Sequence, residues 1–87
     1  MSNSKLHVAE HDELFEAVLA LETIDDCYAF FEDLCTVKEI ISLAQRWQVA
    51  KLLRAGESYD AIVEKTGAST ATVSRVKRSL VYGADGY

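Results

Sequence analysis

Five residues near the C-terminal end, Thr70, Ala71, Ser74, Lys77 and Arg78, fall at spacings that place them on one face of a helix. They are small or polar where that helix starts and basic near its end. Such a row suits duplex DNA. Small side chains let a helix approach base edges in the major groove, and ammonium and guanidinium groups neutralise phosphates. None of Thr70, Ala71 and Ser74 can make the bidentate base contact of an Arg or Asn side chain. Sequence preference is then expected to lean on water-mediated contacts and on DNA shape. The plain alternative is an exposed helix face with no ligand.

Other clusters offer less chemistry. His7 and His11 are four apart, which on a helix would give two ligands on one face, with Glu10 nearby. Two ligands in a loose arm make a weak site, and no metal is expected. Cys27 and Cys35 lie in apolar helical pattern and read as core thiols in a reducing cytosol. The carboxylates from Asp25-Asp26 to Glu32-Asp33 read as a solvated face, and Trp47 reads as core rather than as a stacking platform. A Gly-rich phosphate loop and a nucleophile with a placed base are both missing, so an enzyme has no support.

The elements that must position the basic face are legible around it. Residues Ser58 to Leu80, SYDAIVEKTGASTATVSRVKRSL, read as a short helix, a glycine turn and a second helix. Ser58 can cap a helix over Tyr59 to Lys65. Gly67 supplies the positive φ of a tight turn, and Ser69 can cap the second helix, with Thr72 three residues on. Ile62, Thr66, Ala68, Val73 and Val76 fall where two crossed helices touch. This is the pattern of a helix-turn-helix, with its recognition helix at about Thr70 to Leu80.

Upstream, Thr36 and Glu39 form a capping box opening a long helix that Gly56 ends. Val37, Ile40, Ile41, Ala44, Trp47 and Leu52 are its apolar residues. Before it come two shorter helices. Leu14, Phe15, Val18, Leu19 and Leu21 mark the first, and Cys27, Phe30, Phe31 and Leu34 the second, with Asp25 as its cap. Residues 1–7 read as a loose arm and 81–87 as a frayed tail.

Eighty-seven residues make one domain, all-α, since proline is absent and two of the four glycines lie in the last five residues. The hydrophobic fraction of 49% is generous for a small monomer and points to apolar surface kept for a partner. Residues 1–35 carry one Lys against nine Asp or Glu, a charge of −8, whereas residues 36–87 carry +3. That division fits an acidic assembly half and a DNA-contacting half. An interlocked homodimer would bury the first two helices. It would also set two recognition helices roughly 34 Å apart, the spacing of a palindromic site. No segment reads as membrane-spanning or as a signal peptide, so a cytoplasmic protein is expected.

The stretch from Leu34 to Leu80 resembles the Trp repressor superfamily. It looks closest to its branch of small bacterial proteins, the YerC/YecD family. The resemblance is carried by Leu34-Cys35-Thr36, Glu39, Arg46, the run Leu52-Leu53-Arg54-Ala55-Gly56-Glu57, and Gly67-Ala68-Ser69-Thr70-Ala71-Thr72-Val73-Ser74-Arg75. It implies an intertwined all-helical dimer that binds operator DNA and represses transcription. It also implies phosphate contacts from Arg54, Lys65, Lys77 and Arg78, with Arg75 steadying the recognition helix or touching phosphate. A small-molecule corepressor would lie among Thr36, Arg46, Arg75 and Ser79, unless the arginines instead pair with Glu39 and Asp60. Tryptophan itself is disfavoured. Where the Trp repressor has glycine, this chain has Val76, which adds three carbons to a slot for a flat ring.

Two further departures bear on these expectations. The repressor's last helix has no match, so a smaller or rearranged dimer is expected. Its basic residues on the first helix of the motif are replaced by Asp60 and Val63. From another class comes a rival reading, a dimeric protein-interaction module. Its acidic, apolar N-terminal half would be the working surface and its helix-turn-helix a retained scaffold.

Overall fold

A computed structural model describes residues 7–87 as five helices. These are α1 (Ala9–Leu19), α2 (Ile24–Leu34), α3 (Val37–Arg54), α4 (Tyr59–Thr66) and α5 (Thr70–Tyr82). The chain divides into two units, one ending at Val37 and one covering Lys38–Tyr87. Most of the expected loose arm lies outside the described residues.

The first unit holds α1 and α2. Val8 precedes α1 without a side-chain cap, its carbonyl accepting from the His11 and Asp12 amides at 3.0 Å. His7 therefore lies before the helix, and the expected His7–His11 helical face does not form. The cap of α2 is Thr23, not Asp25. Thr23 Oγ1 accepts from the Asp26 amide at 3.0 Å, while Asp26 Oδ2 accepts from the Glu22 amide at 3.1 Å. Thr23 wins because its backbone is extended, as a cap requires, whereas Asp25 is already inside the first turn. Neither helix buries a residue. Hence Cys27 is exposed and Cys35 half-buried at the end of α2, and neither is a core thiol.

The second unit builds its core from its own chain. Val49, Ala50, Ile62, Ala68, Val73 and Val76 are buried, with Leu52, Leu53, Tyr59, Val63 and Leu80 packed against them. The inward side of α3 is thus set by Val49 and Ala50, which the apolar pattern did not single out. Ile41 (60% exposed) and Trp47 (51%) lie outside, because the side of α3 that meets the core carries Val49 and Ala50 with the half-buried Leu52 and Leu53. A Schellman turn ends α3. The Glu57 amide donates to the Leu52 carbonyl and the Gly56 amide to Leu53, both at 3.1 Å, with Gly56 at φ +83°.

The tail is more ordered than expected. Val81 and Tyr82 extend α5, which ends at Gly83. A Cβ there would overlap the Ser79 carbonyl, so glycine is needed for space. The chain then turns through Asp85 (φ +60°) and stacks the Tyr87 ring on Trp47, centroids 6.1 Å apart and planes 24° apart. Trp47 is therefore a stacking platform rather than a core residue. Stacking suits it, since offset aromatic pairs shield one face of a large ring that the core does not take.

Candidate nucleic-acid interface

The joint of α4 and α5 is held on every side. Ser58 Oγ accepts from the Ala61 amide at 3.2 Å, capping α4. Ser69 Oγ accepts from the Thr72 amide at 3.1 Å and donates to Thr72 Oγ1 at 3.1 Å, so the threonine hydroxyl returns the bond. Between the helices Gly67 takes φ +73°, the left-handed conformation that a side chain would penalise. Thr66 is half-buried and serves the turn twice. Its hydroxyl donates to the Ile62 carbonyl at 2.7 Å and accepts from the Ala68 amide at 3.1 Å. Gln45 Nε2, from α3, donates to the Thr66 carbonyl at 3.2 Å and ties the turn to the long helix. Ile62, Ala68, Val73 and Val76 are buried beneath it.

With those residues turned inward, α5 exposes Thr70, Ala71, Ser74, Arg75, Lys77 and Arg78. The outward row expected from spacing is therefore present, with Arg75 also exposed. The cations differ in what holds them. Lys65 Nζ donates to Glu57 Oε1 at 2.7 Å, so its charge is partly compensated. Arg54 Nη2 donates to the Tyr87 carbonyl at 3.1 Å. Lys77 Nζ lies 5.6 Å from the centre of the Tyr59 ring. Glu57, Tyr59 and Tyr87 were missed by sequence reasoning. Glu57 precedes the Ser58 cap and could have been flagged as acidic near Lys65. Nothing in the sequence links Tyr59 to Lys77 or Tyr87 to Arg54, because these contacts depend on tertiary packing.

The four residues implied for a ligand divide between the two units. Thr36 belongs to the first unit, as the residue before α3. In the second unit Arg46 is half-buried on α3, while Arg75 and Ser79 are exposed on α5, four residues apart. Ser79 lines an open, largely apolar hollow of about 410 Å³ with Trp47, Gly83, Ala84, Gly86 and Tyr87. A second hollow, about 530 Å³, lies among Ile41, Ala44, Gln45, Gln48, Leu52, Lys65 and Thr66. Neither Arg46 nor Arg75 lines either one. Among the described residues no three His, Cys, Asp or Glu side chains gather as metal ligands. None of their helices is long and apolar enough to cross a membrane.

Comparison with known proteins agrees with this architecture. Residues 9–87 match the family described as Trp repressor protein. YerC of Bacillus subtilis (strain 168), itself uncharacterised, is 55% identical over 87 residues, which is all of this chain and 84% of YerC. A TrpR-like protein from Eubacterium eligens superposes with a TM-score of 0.94 at 58% identity, covering 98% of this chain and 88% of that one. A Staphylococcus aureus protein provisionally named a Trp repressor superposes with a TM-score of 0.94 at 57% identity, covering 100% of this chain and 87% of that one. The chain belongs to the Trp repressor family, whose members are DNA-binding regulators rather than enzymes.

Proposed function

We propose that this protein is a sequence-specific transcriptional regulator that binds a palindromic DNA site as a homodimer. The observation that carries the reading is the α5 face. Small residues Thr70, Ala71 and Ser74 and basic residues Arg75, Lys77 and Arg78 are exposed, while the joint that aims them is buried. In this reading Thr70, Ala71 and Ser74 face the bases, and Lys77 and Arg78 meet phosphates. Arg54 and Lys65 contribute after leaving their present partners. An exposed ion pair such as Lys65–Glu57 contributes about 0–1 kcal/mol, so a phosphate can displace it.

Any small effector would lie near Arg46, Arg75 and Ser79, with Thr36 the fourth residue implied by family. Tryptophan is disfavoured as that effector. Val76, which stands where the Trp repressor has glycine, is buried among the core residues, and this supports the reading that an indole has little room there. A second reading has support in α1 and α2, which bury no residue and carry the acidic charge. They would then be the working surface of a protein-interaction module.

Selection of sheared genomic DNA on the purified protein at modest salt tests the choice. Recovery of a recurring palindromic site, lost steeply as salt rises, supports the regulator. Recovery at background, with partner binding indifferent to salt, supports the interaction module. On a recovered site, Ser74→Arg is expected to change sequence preference. Lys77→Ala should weaken binding evenly and reduce the salt slope by about one. Equal losses on every sequence for both variants would refute the assigned roles.

A further inference from the structure

Tyr59 opens α4 and Lys77 lies far along the chain on α5, yet the fold sets the Lys77 ammonium 5.6 Å from the centre of the Tyr59 ring. The two residues differ in freedom. Tyr59 is half-buried and packs against the core cluster that includes Ile62, Val73 and Val76. Lys77 is exposed. A ring fixed by the core is a stationary platform, and a cation within about 6 Å of its face is drawn to the ring quadrupole.

The contrast with Lys65 shows why this matters. Lys65 is held by a carboxylate, Glu57, whose negative charge offsets its own. An aromatic face holds a cation without cancelling its charge. Lys77 is therefore restrained, and among the described residues no carboxylate forms an ion pair with it. A free lysine has many rotamers to lose on binding. Restraint in the free protein removes part of that cost from the binding step.

We propose that Tyr59 is a positioning residue of the DNA interface: its ring, anchored on the core, holds the Lys77 ammonium preset for a backbone phosphate. The proposal rests on the DNA-binding reading above. Its test therefore has one arm without DNA and one with it.

In the free protein, the Lys77 ε-methylene protons should be shifted upfield by the ring current, and Tyr59→Leu should remove the shift. Absence of the shift in the wild type overturns the positioning and leaves the DNA reading untouched. In the second arm, binding to a mixed-sequence duplex at low salt is measured for wild type, Tyr59→Leu, Lys77→Ala and the double variant. Tyr59→Leu should weaken binding about two- to fivefold. Lys77→Ala should lower the salt slope by about 0.9. In the Lys77→Ala background, Tyr59→Leu should cost nothing more.

A penalty for Tyr59→Leu that is the same in both backgrounds would mean that the ring serves only the core, and the proposal fails. Tyr59→Phe keeps the ring and should stay near wild type; a loss as large as that of leucine assigns the effect to the hydroxyl and overturns it too. A wild type that shows the ring-current shift but no salt-dependent DNA binding overturns the DNA reading, and the phosphate role with it.

Discussion

In the C-terminal unit Val49, Ala50, Ile62, Ala68, Val73 and Val76 are buried; in the N-terminal unit no residue of α1 or α2 is. The difference does not come from a shortage of apolar side chains. Leu19 is 83% exposed and Ile24 75%, with Leu14, Phe15, Tyr28 and Leu34 also exposed. Burying a side chain of this size stabilises by about 1.5–3 kcal/mol, so leaving several in water forgoes much of a small domain's stability. One unit has a buried core made by its own chain, and the helices of the other have none. A second copy is the partner that the proposed function requires. It would have to meet the apolar side chains while keeping the two acidic surfaces apart, since residues 1–35 carry a net charge of −8.

The largest test of this contrast removes one apolar side chain from each unit. Ile62 is fully buried, and Ile62→Ala should cost about 2–5 kcal/mol whatever the protein concentration. Leu19→Ala should cost little in the dilute, dissociated chain and much when dimers form. Denaturant melts at two widely spaced protein concentrations measure both. The comparison breaks if the wild-type midpoint ignores concentration and Leu19→Ala shifts it as far as Ile62→Ala.

The same contrast explains what could be read from sequence. The α4–α5 joint was legible because its signals are local. Ser58, Gly67 and Ser69 each act within a few residues, and Ile62, Val73 and Val76 pack against their sequence neighbourhood. The exposed α5 row followed once the inward positions were assigned. In α1 and α2 the helices and their surplus of apolar surface were legible, but not which single residues the chain itself would cover. Apolar spacing tells which residues share a face, not whether this chain or another covers it. That is why Cys27 and Trp47 read as core and are exposed. Val49 and Ala50 were missed for a related reason: which stripe of α3 faces inward depends on where α4 and α5 dock. The Trp47–Tyr87 stack needs the turn after α5, which has no short-range signature beyond Gly83 and Asp85.

A middle-sized effect separates backbone strain from packing inside the C-terminal unit. Gly67 sits at φ +73° with open space around it, since an added Cβ meets nothing within 4 Å. Gly67→Ala should therefore cost only the left-handed penalty, about 1–2 kcal/mol. Gly67→Asn should recover part of it, because asparagine tolerates that conformation better than alanine. Gly83→Ala tests the opposite case. Its φ of −85° suits any residue, but its Cβ would overlap the Ser79 carbonyl. That variant should disturb the tail and change the fluorescence of Trp47, while leaving Ile62 and Val73 packed. Equal loss of core stability from both glycine variants would show that the tail and the joint fold as one piece.

The finest test uses the same bond in both units. Thr23 Oγ1 accepts from the Asp26 amide at 3.0 Å, and Ser69 Oγ accepts from the Thr72 amide at 3.1 Å. Each cap satisfies one otherwise unpaired amide at a helix start, and replacing either residue by alanine costs about 1 kcal/mol where the helix is folded. Ser69→Ala should show that cost at every concentration, because α5 rests on a core made within the chain. Thr23→Ala acts on a helix that buries no residue fully in one copy. Its cost should appear only when a partner holds α2 in place, so amide exchange in α2 should quicken in dilute protein and slow as concentration rises. In the variant, that slowing should require more protein than in the wild type. Exchange in α2 that is slow and independent of concentration would mean that the N-terminal unit is stable alone, and the homodimer would lose its physical motive.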